Sequence, residues 1–263
     1  MTPRRDAWLE SREFSLGTSS VGREEGRVMG ISFTSAIDAL ERSDDSPDAL
    51  AAPFVAVFPV SGASVSTIGE LLGSETISAT DGQAARLDEL QFDLGEGPCW
   101  DALRSTRPVL IDDVRRDAPA VWPAFSAAIR DDDMSSLFAF PLAVGPLRIG
   151  AVDLYSVAPV RLDSTQALQV GAMAGIVSRH VLRRALNAVG GDYEEAGNAF
   201  SRRFIHQATG VVLAQLDLSA EDARLVIQGH AFAASRTMME VARDIVEGRL
   251  SFTKGAGGIE AAP

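Results

Sequence analysis

The chain holds one cysteine and three histidines, so thiol or imidazole chemistry has few places to occur. Cys99 follows the glycine-rich stretch Gly95-Glu96-Gly97-Pro98. A thiol in such a loop could act as a redox sensor or an attachment point if its thiolate were reachable. The alternative is a small buried hydrophobe, which is where free cysteines commonly end up. One cysteine cannot close a disulfide cycle. His180, His206 and His230 all lie outside residues 50–160. His230 falls on a helical apolar stripe and reads as packed core, whereas His206 lies beside a stripe and is expected to be exposed. Asp131-Asp132-Asp133 could suggest a metal site, but a lone acidic triplet is ordinarily a solvated loop. No P-loop, G-x-S-x-G motif or zinc-ligand spacing occurs. These residues point away from an enzyme, and neither a cofactor nor a metal is expected. Phe92, Trp100, Trp122, Phe125, Phe138 and Phe140 supply the large apolar surface that either fills a core or lines a pocket. Phe92, Cys99, Trp122, Phe138 and Phe140 are the candidate lining of a small-molecule pocket.

Length and charge bound what can carry these residues. A chain of 263 residues is a soft prior for two domains. With 46% hydrophobic and 23% charged residues, it can bury substantial cores. A net charge of −12 disfavours broad, non-specific nucleic-acid binding but leaves a local, shape-reading contact open. No apolar run approaches the roughly 18 residues of a membrane span. The basic start Met1-Thr2-Pro3-Arg4-Arg5-Asp6 leads into no apolar segment, so no secretory signal is expected. These features lead to the expectation of a cytoplasmic protein with no membrane partner.

Residues 1–46 are rich in Ser, Gly, Arg and Glu and read as a mobile segment, with a short amphipathic piece at Ile31–Leu40. Leu50, Phe54, Val57 and Phe58 then have helical spacing, with Pro53 inside the run. Strands are expected near residues 63–69 and 74–79, a helix over 82–91, a short strand over 107–113 and a helix over 122–130. Two apolar runs, 136–144 and 147–155, are joined by Gly145-Pro146 and read as a hairpin. A long helix over 162–186 should bury Leu168, Ala172, Ile176, Val181 and Leu182. Together these make an α+β domain over 47–188, with Gly190-Gly191 as the joint to the C-terminal part.

That C-terminal part, 192–250, reads as three helices. The first, over 198–216, has the stripe Ile205, Ala208, Val212 and Leu216, with Gly210 in mid-helix. Ser219 caps the second, whose first turn is acidic. Thr237-Met238-Met239-Glu240 forms a capping box for the third. Such stripes bury each other in a three-helix bundle. Residues 251–263 read as a flexible tail.

This module resembles the ANTAR domain, a three-helix RNA-binding unit of bacterial transcription antitermination regulators. The resemblance rests on Ile205-His206-Gln207-Ala208-Thr209-Gly210-Val211-Val212, on Ala223, Ile227 and Ala231, on Ser235-Arg236-Thr237-Met238, and on Val241-Ala242-Arg243-Asp244-Ile245-Val246. It implies RNA contacts at Gln207, Thr209, Gly210, Ser235 and Arg236. The family usually has Lys where Thr209 stands, often Arg where Gln228 stands, commonly Asn where Ser235 stands, and a basic residue where Thr237 stands. Over 192–250 the bases Arg202, Arg203, Arg224, Arg236, Arg243 and Arg249 are outnumbered by acids.

Residues 47–188 resemble a GAF domain. The resemblance rests on Gln91-Phe92-Asp93-Leu94-Gly95-Glu96-Gly97-Pro98-Cys99, Arg107-Pro108-Val109-Leu110-Ile111-Asp112-Asp113, Phe140-Pro141-Leu142 and Ile149-Gly150-Ala151-Val152-Asp153-Leu154-Tyr155. It implies an antiparallel sheet with flanking helices and a small-molecule cavity. Covalent bilin attachment would favour a histidine beside Cys99, and Trp100 stands there instead. The two resemblances in this order imply a regulator that reads structured hairpin RNA under control of an unknown small-molecule or protein signal, acting as a homodimer through the long helix. The alternative is a ligand-sensing protein-interaction module with weak or lost RNA binding.

Overall fold

The computed structural model describes residues 31–43, 49–69, 72–117, 120–189, 202–255 and 257–262. Five strands, β1 (Gly62–Thr67), β2 (Glu75–Ala79), β3 (Val109–Ile111), β4 (Ser136–Val144) and β5 (Leu147–Ser156), form one antiparallel sheet in the order β2-β1-β5-β4-β3. Helices α1 (Phe33–Glu41) and α2 (Ala52–Val57) precede it. Helices α3 (Gly82–Leu94), α4 (Pro98–Ser105), α5 (Val114–Asp117) and α6 (Pro123–Ala128) lie in its connections, and α7 (Ser164–Val189) comes after it.

Side chains alternate across a strand, so the central strands β4 and β5 serve two cores. Ala63, Val65, Phe138, Phe140, Val152 and Leu154 pack on one side with Ala36 and Leu40 of α1, Phe54 of α2, and Val170, Met173 and Val177 of α7. On the other side α3, α4 and α6 cover the sheet, with Leu87, Phe125, Leu137 and Tyr155 in one cluster and Phe92, Cys99 and Ala151 in a second. Gly150 is required where β5 meets β1, because a Cβ there would collide with the Ser66 carbonyl.

Several local expectations change in the folded chain. The short amphipathic piece expected at Ile31–Leu40 within the segment 1–46 is α1, capped by the Ser32 hydroxyl and buried at Ala36 and Leu40. The segment's composition is polar, but these two apolar positions a turn apart find a sheet face to cover. Residues 1–30 and 44–46 of that segment lie outside the described residues, as does the Gly190-Gly191 joint. Pro53 falls in the first turn of α2, where its missing N–H is not needed. Gly95 ends α3 in the left-handed region (φ 66°), and Pro98 starts α4, a helix that the sequence pattern did not predict. In α7 the buried seam runs through Val170, Met173, Ala174, Val177 and Val181, while Leu168 and Ala172 face outward. Of the expected stripe, Ile176 and Val181 are buried and Leu182 packs against the core, so the departure is confined to Leu168 and Ala172.

Helices α8 (Arg203–Leu216), α9 (Ala220–Ala233) and α10 (Met238–Val246) form the second core, with Ile205, Ala208, Val212, Leu216, Ala223, Ile227, Ala231, Met238, Val241, Ala242 and Ile245. The Ser219 cap and the full capping box at Thr237 and Glu240 are present. The expected flexible tail is instead a hairpin, β6 (Ser251–Gly255) with β7 (Gly258–Ala262). Phe252 anchors it in the bundle, edge-on to His230 at 5.4 Å, and its N–H donates to Gln215 Oε1 (3.0 Å). The sheet and the three helices belong to one compact unit.

Candidate functional site

Two buried carboxyl groups face each other between α3 and the sheet. Asp88 lies on the inner face of α3, beside Leu87 and four residues from Ala84 and Phe92. Asp153 sits in the middle of β5, whose residues from Ile149 onward are all buried. The Ser64 hydroxyl donates to Asp88 Oδ1 (2.8 Å), and the Gln91 amide donates to Asp153 Oδ2. Gln91 Oε1 in turn accepts the Cys99 backbone N–H (2.8 Å), and its carbonyl accepts the Trp100 indole N–H (2.7 Å). Thr76 also bonds the Asp88 carboxyl, and the two carboxyls can bond each other once one is protonated. Burial pushes Asp88 up to about 7 against the bonds from its neighbours. Burial, followed by the Asp88 charge, pushes Asp153 well above the carboxylate range. The arrangement can hold or release a proton near neutrality, and such perturbed groups concentrate at functional sites.

The outer end of α3 grips the bundle. Arg202 Nη2 donates to Asp93 Oδ1 (2.6 Å). The Met238 backbone N–H, first of α10, donates to Asp93 Oδ2 (2.8 Å). Gln228 Nε2 of α9 donates to the Asp93 carbonyl oxygen (2.6 Å). Asp93 therefore satisfies an unpaired amide at one helix start, while Gln228 satisfies a carbonyl at another helix end. The pair is nearly dry, with side chains 8% and 11% exposed for Arg202 and Asp93. Arg202 also lies over the Phe92 ring, 5.0 Å from its centroid.

The five candidate pocket residues fall in three core clusters. Phe138 and Phe140 belong to the core under α1 and α7. Trp122 packs beside Phe125 with its indole N–H on Asp101 (3.0 Å). Phe92 and Cys99 share a third cluster. Cys99 is on α4, not in a loop, and is fully buried; burial, then the charges of Asp153 and Asp88, push its thiol up. The sheet separates Phe138 and Phe140 from the other three, a distinction that a count of aromatics does not make.

In the bundle, Gln207 and Gly210 are exposed on α8, and a Cβ at Gly210 would meet nothing within 4 Å. The Thr209 hydroxyl donates to the Ile205 carbonyl (2.7 Å). Ser235 and Arg236 form the exposed α9–α10 turn, with Ser235 at φ 52°. Arg236 pairs with Asp244 (2.7 Å), which also holds Arg249. Among the described residues, no group of three or more His, Cys, Asp or Glu side chains is arranged to hold a metal, and Asp132 pairs with Arg86. No helix among them is long and apolar enough to cross a membrane.

Sequence pattern alone did not single out Asp88, Gln91, Asp153, Asp93 or Arg202 as a site. Two signals were present: an acid on the apolar stripe of α3, and an acid inside the apolar run of β5. Nothing local marks Asp93, whose partners lie 109 to 145 residues away.

The GAF domain profile matches residues 43–182, and the ANTAR domain profile matches residues 199–246. No curated protein matches the chain. Among solved structures, the GAF domain of an Acinetobacter phosphoenolpyruvate-protein phosphotransferase is 11% identical, with a TM-score of 0.47 over 61% of this chain and 95% of that one. The GAF domain of the Coxiella burnetii phosphoenolpyruvate-protein phosphotransferase is also 11% identical, with a TM-score of 0.45 over 59% and 94%. A substrate-bound free methionine-R-sulfoxide reductase from Neisseria meningitidis is 17% identical, with a TM-score of 0.40 over 58% and 89%.

Proposed function

This chain belongs to the GAF domain family and carries an ANTAR domain after it, and from that premise we propose that it is an RNA-binding regulator of transcription antitermination. The GAF part senses a small-molecule or protein signal, and the ANTAR part delivers the output on structured hairpin RNA, in the cytoplasm and without catalysis. The observation that carries this reading is the grip of Asp93 on Arg202, Gln228 and Met238, which gives the sensory part direct purchase on the output helices. Gln207, Thr209, Gly210, Ser235 and Arg236 are the proposed RNA contacts, reading loop bases and shape. Pairing of two chains through α7 is supported by Leu168 and Leu186, 76% and 65% exposed on that helix.

Filter binding of the full chain to a hairpin RNA tests the reading. Binding that weakens with salt and with Gln207→Ala is expected, since phosphate contacts dominate such affinity. No binding at low salt would overturn it. The second reading, a protein-interaction output, is favoured by one observation: Arg236 and the Thr209 hydroxyl are already engaged inside the bundle. Co-purification of a protein partner with no RNA affinity would select it.

A further inference from the structure

We propose that the ANTAR bundle carries a phosphate-binding cradle, made of the Arg202 guanidinium and the α10 N-terminus at Met238, and that the Asp93 carboxylate occupies it in place of an RNA phosphate. The inference rests on the RNA-binding reading above.

The chemistry of the cradle is that of an anion site. A guanidinium and a free helix-start N–H converge on the two oxygens of one carboxylate, at 2.6 and 2.8 Å. A phosphodiester offers the same pair of anionic oxygens, and helix starts favour it through their unpaired donors and dipole. The site holds a seated anion in this structure, so its competence to hold one is observed. Arg224 stands near enough for its charge and those of Arg202 and Asp93 to act on one another, whereas the Phe92 ring under Arg202 belongs to α3 and leaves with it. The opposing acids divide by domain. Glu240 is committed to the Thr237 N–H in the capping box and stays with the bundle (3.0 Å). Glu89 sits on α3 with Asp93 and leaves when α3 leaves.

The geometry also explains how sensing reaches output. RNA and the GAF part cannot both fill the cradle, so each excludes the other. A signal that shifts α3 frees the cradle, and RNA bound there releases α3, as reciprocity of linked binding requires.

The test uses the full chain as wild type, Asp93→Ala, Asp93→Asn and the double variant Asp93→Ala/Arg202→Gln. Inorganic phosphate is titrated while the backbone amide resonance of Met238 is followed, and hairpin RNA affinity is measured separately. In Asp93→Ala, phosphate should move the Met238 amide and RNA should bind about tenfold or more tightly than to wild type. Asp93→Asn, which keeps the shape and loses the charge, should fall between. Adding Arg202→Gln should remove both gains. A Met238 amide that ignores phosphate in Asp93→Ala and Asp93→Asn overturns the cradle, whatever the RNA does. Phosphate binding with no RNA binding at low salt upholds the cradle for free phosphate and overturns the RNA reading instead.

Discussion

At the residue scale, the Asp88–Asp153 pair makes stability depend on pH in an unusual direction. A raised carboxyl binds more protons in the folded state than in the unfolded state between about pH 4 and pH 7. Its contribution is therefore complete below the unfolded value near 4 and is lost as pH rises through about 7. Asp153, shifted in the same direction, adds to the same slope. Asp88→Asn should flatten this decline and leave the protein more stable than wild type at pH 8. Urea midpoints across a pH series would measure it, and parallel profiles for the two proteins would refute it. Ser235 gives a second residue-level lesson. Its left-handed backbone is a conformation that Asn and Gly adopt more readily than Ser. The asparagine common at that family position therefore has a backbone reason, independent of any RNA contact.

At the element scale, α3 does two jobs with two faces. Asp88 and Gln91 point into the sheet, and Asp93 points at the bundle, within little more than one helical turn. Arg202 is felt at both ends, since its charge also lowers Asp88. A rigid helix that carries both a proton-sensitive pair and an inter-domain grip is a short physical route between them. Helix α8 offers a cleaner case. Gly210 lies in its interior, exposed, with open space where a Cβ would go. Gly210→Ala should stabilise the bundle by about 1 kcal/mol. The same methyl should weaken hairpin RNA binding if this face meets RNA. A denaturation curve paired with an RNA titration separates the effects, and unchanged RNA affinity would remove Gly210 from the contact surface.

At the scale of the whole molecule, the outer face of α7 is the place to look for self-association. Leu168 and Leu186 are large apolar side chains left in water, about five turns apart on one helix. The double variant Leu168→Glu/Leu186→Glu should convert a dimer to a monomer in sedimentation equilibrium while keeping its far-ultraviolet dichroism. If the wild-type chain is monomeric at tens of micromolar, or the variant remains dimeric, α7 is not the dimer seam. The proposed pairing has a consequence for RNA: two linked modules bind a two-part target more tightly than one, so the monomeric variant should lose RNA affinity too.

The division between sequence and tertiary structure tracks the range of the interactions. Caps and periodicities are local, so Ser219, the Thr237–Glu240 box and the buried positions of α8 are legible in the sequence alone. The β4–β5 hairpin is legible for the same reason, and the GAF-then-ANTAR order is legible from short runs of residues. The sides of the sheet are not. Whether Phe138 and Trp122 share a cavity depends on strand register and on which helices cover which face, and those choices are made across the chain. The ordering of α1 and of the terminal hairpin likewise comes from surfaces that distant residues supply. The site with the most to say about function lies furthest from local grammar. Asp93 becomes a grip only when residues 202, 228 and 238 fold around it, and Asp88 shifts only when β5 buries it beside Asp153. Charge, burial and convergence are properties of three-dimensional neighbours, and a linear order of side chains specifies them only through the fold it produces.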